Sequence, residues 1–208
     1  MFYLKIKRLS DFILSFIGLI ILMPLFLLII ILIKLDSRGP ILFKQKRIGR
    51  NKKPFYILKF RTMRIDTPKD TPTHLLENPQ QWITKIGKIL RRSSLDELPQ
   101  IINILKGDMS IIGPRPALWN QYDLIEERDR FDVHKLYPGL TGYAQVNGRD
   151  ELSITDKAKL DGYYVQHISI FLDINIFFRT IINTIQFKGI VEGGNESKVE
   201  KKQEQGDR

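Results

Sequence analysis

Residues 12–33 read FILSFIGLIILMPLFLLIIILI, twenty-two positions with no charge and with Ser15 as the one clearly polar side chain. As an α-helix this run is about 33 Å long, against a bilayer hydrocarbon core of roughly 30 Å. It exceeds the usual apolar region of a signal peptide, and Lys34-Leu35-Asp36-Ser37-Arg38 follows it in place of a small-residue cleavage site. A buried helix of a soluble protein also fits poorly at this length. The segment reads as membrane-embedded. Two features argue against a simple span. Pro24, near the middle, lacks a backbone donor and its ring crowds the carbonyl of Ile20, so a kink is expected. Each half then has about 11 residues, roughly 17 Å of helix, too short to cross alone. Charge is the second feature. Lys5, Lys7 and Arg8 precede the run, while Lys34, Arg38, Lys44, Lys46, Arg47 and Arg50 follow it. Basic flanks favour the cytoplasmic side, and here both flanks are basic. On the residues alone, a kinked span and a re-entrant helix returning to the same face stay evenly matched. Either one frees carbonyls at the kink that need a partner, such as Ser15.

Taken as a whole, the chain has ordinary globular composition. Its 208 residues suit about one domain, with 43% hydrophobic and 27% charged residues and a formal net charge of +10. The absence of cysteine excludes disulfides, thiolate metal sites and a cysteine nucleophile. His74, His134 and His167 lie far apart and form no metal-binding spacing. Neither a P-loop nor a GxGxxG pattern occurs. Basic residues interleaved with aromatics are compatible with nucleic acid, and equally with anionic lipid headgroups or a phosphate-bearing substrate.

Turn signals and periodicity organise residues 36–187. Residues 41–43 and 55–60 read as short strands joined by a hairpin loop at 49–54. Residues 66–80 read as a mobile loop, and helices are expected near 83–91 and 97–106, with Gly107 at the C′ position of the second. Residues 110–116 form a strand entering the stiff turn Gly113-Pro114-Arg115-Pro116. Residues 117–130 are expected as a helix and 138–142 as a loop. Residues 168–187 carry twelve large apolar side chains broken by Asp173 and Arg179. They fit a core helix or a helix lying in the membrane interface about equally. The tail beyond 190 has no hydrophobic period and is expected to be disordered.

The densest polar cluster is Arg91-Arg92-Ser93-Ser94-Leu95-Asp96-Glu97-Leu98-Pro99-Gln100. Ser94 and Glu97 have the spacing of a capping box, so the cluster can be nothing more than a well-capped helix start. The adjacent carboxylates can also hold a divalent cation, an aspartate can attack phosphorus, and the arginines can pair with phosphate oxygens. Arg115, between two prolines, reads either as part of an ordinary tight loop or as an arginine pre-oriented toward an anion. Lys59, Arg61 and Arg149 add basic groups that are weak signals alone.

Six strings in order carry a resemblance over most of residues 5–190. They are Lys7-Arg8-Leu9-Ser10-Asp11, Lys59-Phe60-Arg61-Thr62-Met63, Ser94-Leu95-Asp96-Glu97-Leu98-Pro99-Gln100, Asn103-Ile104-Leu105-Lys106-Gly107-Asp108-Met109-Ser110, Ile112-Gly113-Pro114-Arg115-Pro116, and Pro138-Gly139-Leu140-Thr141-Gly142 running into Gln145-Val146-Asn147-Gly148-Arg149. Together they resemble the small monotopic phosphoglycosyl transferases, the bacterial sugar transferases. The resemblance implies transfer of a sugar 1-phosphate from a UDP-sugar to a polyprenol phosphate. The products are UMP and a polyprenyl diphosphate sugar, an early step of glycan assembly, formed by ping-pong through a phosphoryl-aspartate. It implies Asp96 as nucleophile and Glu97 as its partner in holding Mg²⁺. Arg91, Arg115, Lys59 and Arg61 would face phosphates and Arg149 the donor. Arg8 and Asp11 match the charged pair at the start of a re-entrant helix broken at Pro24, although the family often has Ser-Pro where this chain has Met23-Pro24.

The implied fold is α+β and mainly α: a re-entrant membrane helix with basic flanks in residues 1–38, then a catalytic unit in 39–190 with a small β-hairpin and interfacial amphipathic helices, then the tail 191–208. The implied location is the cytoplasmic face of the bacterial inner membrane, with lipids and both substrates as partners and no nucleic acid. A homodimer stays open, because exposed apolar surface can pair subunits or face lipid. Two other readings compete. A membrane-anchored glycosyltransferase would release UDP, and a tethered basic binding protein would be indifferent to Asp96→Asn and strongly salt-dependent in its affinity.

Overall fold

The apolar run forms most of the first element of the computed structural model, helix α1 (Phe2–Asp36). The structure describes residues 2–67, 79–148 and 151–186. Pro24 lies inside this one helix, so the expected break is not seen as two separate helices. A proline removes a single hydrogen bond, and the ladder on either side of it continues. The Ser15 hydroxyl is buried and has no hydrogen-bond partner among the described residues, so it does not serve the kink as expected.

The two halves of α1 have different surroundings. Beyond Pro24, Phe26, Ile29 and Ile33 are buried with Phe60 and Leu90, and the Phe26 and Phe60 rings meet edge-on at 5.3 Å. Before it, Asp11 and Ser15 are buried while Phe12, Ile13, Leu14, Phe16, Ile17, Ile20 and Ile21 are exposed. Only 17% of the most apolar 18-residue window of α1 is buried. A core helix would bury most of such a window, because leaving it in water forfeits about 25 cal/mol per Å².

After α1 comes an antiparallel hairpin, β1 (Leu42–Ile48) and β2 (Pro54–Phe60), in register from Leu42 opposite Phe60 to Ile48 opposite Pro54. β1 runs well past the expected 41–43. Its Lys44-Gln45-Lys46-Arg47 centre has no apolar alternation, and cross-strand pairing with β2 is what extends it. Helix α2 (Lys85–Arg92) starts at Thr84, whose hydroxyl accepts from the Gly87 N–H at 2.9 Å. Helix α3 (Gln100–Lys106) ends at Gly107, whose φ of 95° matches its reading as a stop. Helix α4 (Tyr122–Asp129) is shorter than expected, because 117–118 pair with the hairpin instead: the Ile48 N–H donates to the Ala117 carbonyl at 3.0 Å.

Strand β3 (Ser110–Ile112) pairs in parallel with β4 (Gly139–Thr141), a segment expected as loop. Three residues opening on a glycine carry no readable period. Helices α5 (Tyr143–Val146), α6 (Ile154–His167) and α7 (Ile170–Ile185) close the described chain. Ile176 of α7 is fully buried beside Ile112, Val146 and Tyr164. Phe171, Ile174, Phe177, Phe178, Ile181 and Ile182 are exposed, so α7 is a core helix on one face only. Asp173, which interrupts its apolar pattern, faces inward: Lys7 reaches it at 2.7 Å, and the hydroxyls of Tyr3 and Tyr164 each donate to it at 2.6 Å. The loop expected over 66–80 and the tail expected over 191–208 fall largely outside the described residues.

Candidate active site

Ser94 turns the chain between α2 and α3. It has a left-handed backbone, φ 57° and ψ 14°, and leads into a 3-10 turn at Leu95–Glu97. A non-glycine residue there costs about 1–3 kcal/mol, and such strain gathers at functional sites. The Ser94 side chain makes no capping hydrogen bond, and its buried hydroxyl has no partner among the described residues. The capping-box reading therefore fails. The turn instead directs two consecutive carboxylates inward, Asp96 at 9% and Glu97 at 8% exposure. Beyond it Gln100 is 1% exposed, and its Nε2 also has no partner among the described residues.

Cations surround Glu97. Lys59 Nζ lies 2.8 Å from its Oε1, Arg115 Nη2 lies 2.7 Å from the same oxygen, and Arg115 Nη1 lies 3.3 Å from Oε2. Lys59 stands on β2, and Asn103 of α3 locks that strand in place. Its side chain accepts from the Leu58 N–H at 2.9 Å and donates to the Tyr56 carbonyl at 2.8 Å, as a neighbouring strand would. Arg115 stands on the Gly113–Pro116 turn. The Gly113 N–H donates to Thr141 and the Gly139 N–H to the Pro114 carbonyl, both at 2.9 Å. No ion pair closes on Asp96 among the described residues. Burial pushes its carboxyl above the ordinary range. Lys59, Arg91 and Arg115 oppose this, and the Glu97 charge adds to it.

These residues bring together four of the basic and acidic positions singled out in the sequence, Lys59, Asp96, Glu97 and Arg115, with Arg91 near enough to act on Asp96 electrostatically. Other positions go elsewhere. The Arg61 guanidinium is buried and donates to the carbonyls of Ser37 and Arg38 at 2.7 and 2.9 Å, closing the end of α1. These bonds hold it on the turn that follows α1, and no hydrogen bond from it to Asp96 or Glu97 occurs among the described residues. Arg8 donates to the Met109 carbonyl and lies over the Tyr137 ring, 4.4 Å from its centroid. Asp11 accepts from Ser110 Oγ at 2.6 Å and from the Ile111 N–H at 3.1 Å. The pair thus fastens α1 to β3. Arg149 lies outside the described residues.

Sequence reasoning missed a buried ion pair behind Arg115. Arg128 of α4 donates from Nε and Nη2 to Asp161 of α6 at 2.9 and 2.5 Å, and from Nη1 to the Arg115 carbonyl at 2.9 Å. Two charged residues in amphipathic helices carry no signal of pairing until α4 and α6 pack together.

No group of three or more His, Cys, Asp or Glu side chains able to hold a metal occurs among the described residues. Two adjacent carboxylates are nonetheless a fitting donor set for Mg²⁺, which commonly takes one or two protein carboxylates and completes its shell with substrate phosphates and water.

Fold and site together define a protein built around an acidic turn within a cationic cradle, carried on a helix apolar enough to cross a membrane. The profile of the family described as bacterial sugar transferase matches residues 2–187, and the chain belongs to that family. It is 38% identical over 189 residues to the exopolysaccharide production protein ExoY of Sinorhizobium fredii, covering 84% of this chain and 83% of that one. It is 39% identical over 185 residues to the uncharacterized sugar transferase EpsL of Bacillus subtilis, covering 89% and 90%. It is also 40% identical over 194 residues to the UDP-glucose:undecaprenyl-phosphate glucose-1-phosphate transferase of Escherichia coli. That match takes in 89% of this chain and 40% of the longer relative.

Proposed function

We propose that this chain transfers a sugar 1-phosphate from a UDP-sugar to a membrane polyprenol phosphate, releasing UMP and forming a polyprenyl diphosphate sugar. One observation carries the reading: two consecutive buried carboxylates on a strained turn, with Lys59 and Arg115 on one and, among the described residues, no ion pair on the other. The Escherichia coli relative, named for the same kind of transfer, supports it.

An oxygen of Asp96 attacks the phosphorus that bears the sugar. The bond from that phosphorus to the bridging oxygen breaks, and UMP leaves with the electron pair. A phosphate oxygen of the polyprenol phosphate then attacks the same phosphorus, breaking its bond to Asp96 and regenerating the carboxylate. Splitting the transfer into two displacements spares the enzyme from bringing two bulky anions together at once. Lys59, Arg91 and Arg115 line the phosphates, and Lys59 and Arg115 are held in place by their pairs with Glu97. Asp96 and Glu97 would hold Mg²⁺, which when bound offsets charge on the diphosphate and on the leaving UMP. Arg149 contacts the donor.

The apolar first half of α1 and the exposed face of α7 rest in one leaflet. Residues 1–38 form a re-entrant anchor at Pro24, and residues 39–190 the catalytic unit on the cytoplasmic face of the inner membrane. This arrangement brings the acidic turn to the headgroup plane, where the acceptor phosphate lies.

The test is nucleotide release from detergent-purified protein given Mg²⁺, polyprenol phosphate and a panel of UDP-sugars. Steady UMP release that needs the lipid phosphate and vanishes in folded Asp96→Asn is the expected result. UDP release would replace this reading with glycosyl transfer. Normal turnover by a folded Asp96→Asn protein would remove Asp96 as the nucleophile.

A further inference from the structure

We propose that the buried Arg128–Asp161 pair positions Arg115 for phosphoryl transfer, acting through the backbone carbonyl that Arg128 holds. The inference rests on the proposed function, because it takes Arg115 to be a phosphate-facing group.

Arg128 is 4% and Asp161 1% exposed, and the hydrogen bonds of Arg128 go to Asp161 and to the Arg115 carbonyl, not to the acidic turn. Arg128 spends its planar fork in two directions. Nε and Nη2 bind one oxygen of Asp161, and Nη1 binds the Arg115 carbonyl at 2.9 Å. The carbonyl it grips belongs to the residue whose side chain reaches Glu97. The same turn is gripped from its other side by β4, through the Gly139 N–H on the Pro114 carbonyl. Arg115 therefore sits on a backbone held at two successive carbonyls, by β4 at one and by a buried guanidinium at the other. Arg128 is in turn oriented by Asp161, whose second oxygen, Oδ1, has no partner among the described residues. A pair that served packing alone would be replaceable by apolar side chains of similar volume. The third hydrogen bond gives this pair a task that apolar residues cannot take over. Lysine cannot take it over either, because one ammonium point charge cannot span both acceptors in the guanidinium's fixed geometry.

The experiment is a double-mutant cycle of Arg128→Lys and Arg115→Lys, read as the rate of UMP release per folded molecule, beside thermal midpoints. Leu124→Ala, a buried core truncation on the same helix, serves as the stability control. A small misplacement of a positioning group can cost much of the rate. The expected result is a drop of about tenfold or more for Arg128→Lys in the parent, and little or none in the Arg115→Lys background. Leu124→Ala should lower the midpoint and leave the rate per folded molecule unchanged. Equal effects of Arg128→Lys in both backgrounds, or no effect per folded molecule, would overturn the proposal. Asp161→Asn runs through the same cycle, so the question is answered even if Arg128→Lys fails to fold. A crystal structure of either variant reads the geometry without turnover: the Arg115–Glu97 pair should be lost or displaced, and an intact pair would count against the inference. Absence of UMP release from the parent protein would instead count against the proposed function, leaving the structural readout to decide the positioning role.

Discussion

Arg128 and Asp161 show how little a single residue's identity reveals about its work. Each charge is buried, and burial pushes the Asp161 carboxyl up while Arg128 pulls it down. Removing one partner leaves the other charged and dry. Asp161→Ala should therefore cost about 3–5 kcal/mol of stability, whereas Arg128→Met with Asp161→Leu should cost much less. Equilibrium unfolding in urea compares the two. Similar losses in both variants would show that the charge pairing is not what matters there. At the same scale, the Asp96-Glu97 dipeptide was legible from sequence as a place for phosphate chemistry, but so was its alternative as a helix cap. The left-handed backbone of Ser94 and the absence of a capping bond from its side chain remove the cap reading, and the phosphate reading is the one proposed above. Arg61 went the other way: its basic string pointed to phosphate, and its guanidinium closes the end of α1.

At the scale of elements, periodicity found what is long or regular. The end of α3 at Gly107, the hairpin and the apolar helix α7 were readable, because each repeats a pattern or carries a stop signal. Strand β4 was not, for it is three residues long and is defined by its partner β3. Its first residue makes that partnership testable. A Cβ at Gly139 would run into the backbone of Gly113 and Thr141, which flexible side chains cannot relieve. Gly139→Ala should therefore destabilise the protein by several kcal/mol and, by shifting the turn that carries Arg115, reduce turnover in whatever folds. A normal unfolding midpoint for this variant would contradict the close approach. The partial reading of α4 has the same origin. Residues 117–118 have helical composition but are claimed by the edge of β1.

At the scale of the whole molecule, α1 organises everything else. Tyr3 and Lys7 tie it to Asp173 of α7, Arg8 and Asp11 to β3 and its approach, and Phe26, Ile29 and Ile33 to the hairpin and α2. The proposed re-entrant path requires both ends of α1 to share one side of the bilayer. The chain has no cysteine, so this can be mapped cleanly. Lys5→Cys and Lys44→Cys, both at exposed positions, should each resist an impermeant maleimide in intact cells and react once the membrane is opened. Labelling of one site from outside would establish a span and remove the re-entrant reading.

Sequence alone determined the class of molecule: an apolar stretch too long for a soluble core, basic flanks on both sides, and an ordered set of short strings around Asp96-Glu97 and Arg115. The apolar stretch and its flanks are local properties, set by transfer free energy and charge, whereas the strings name the class only through their resemblance to the bacterial sugar transferases. The tertiary structure decided which charges meet. It set Lys59 and Arg115 on Glu97, took Arg61 away to the end of α1, and placed the Arg128–Asp161 pair behind Arg115. Partners dozens of residues apart in the chain are chosen by how helices and strands pack, and that packing minimises unpaired buried charge over the whole molecule.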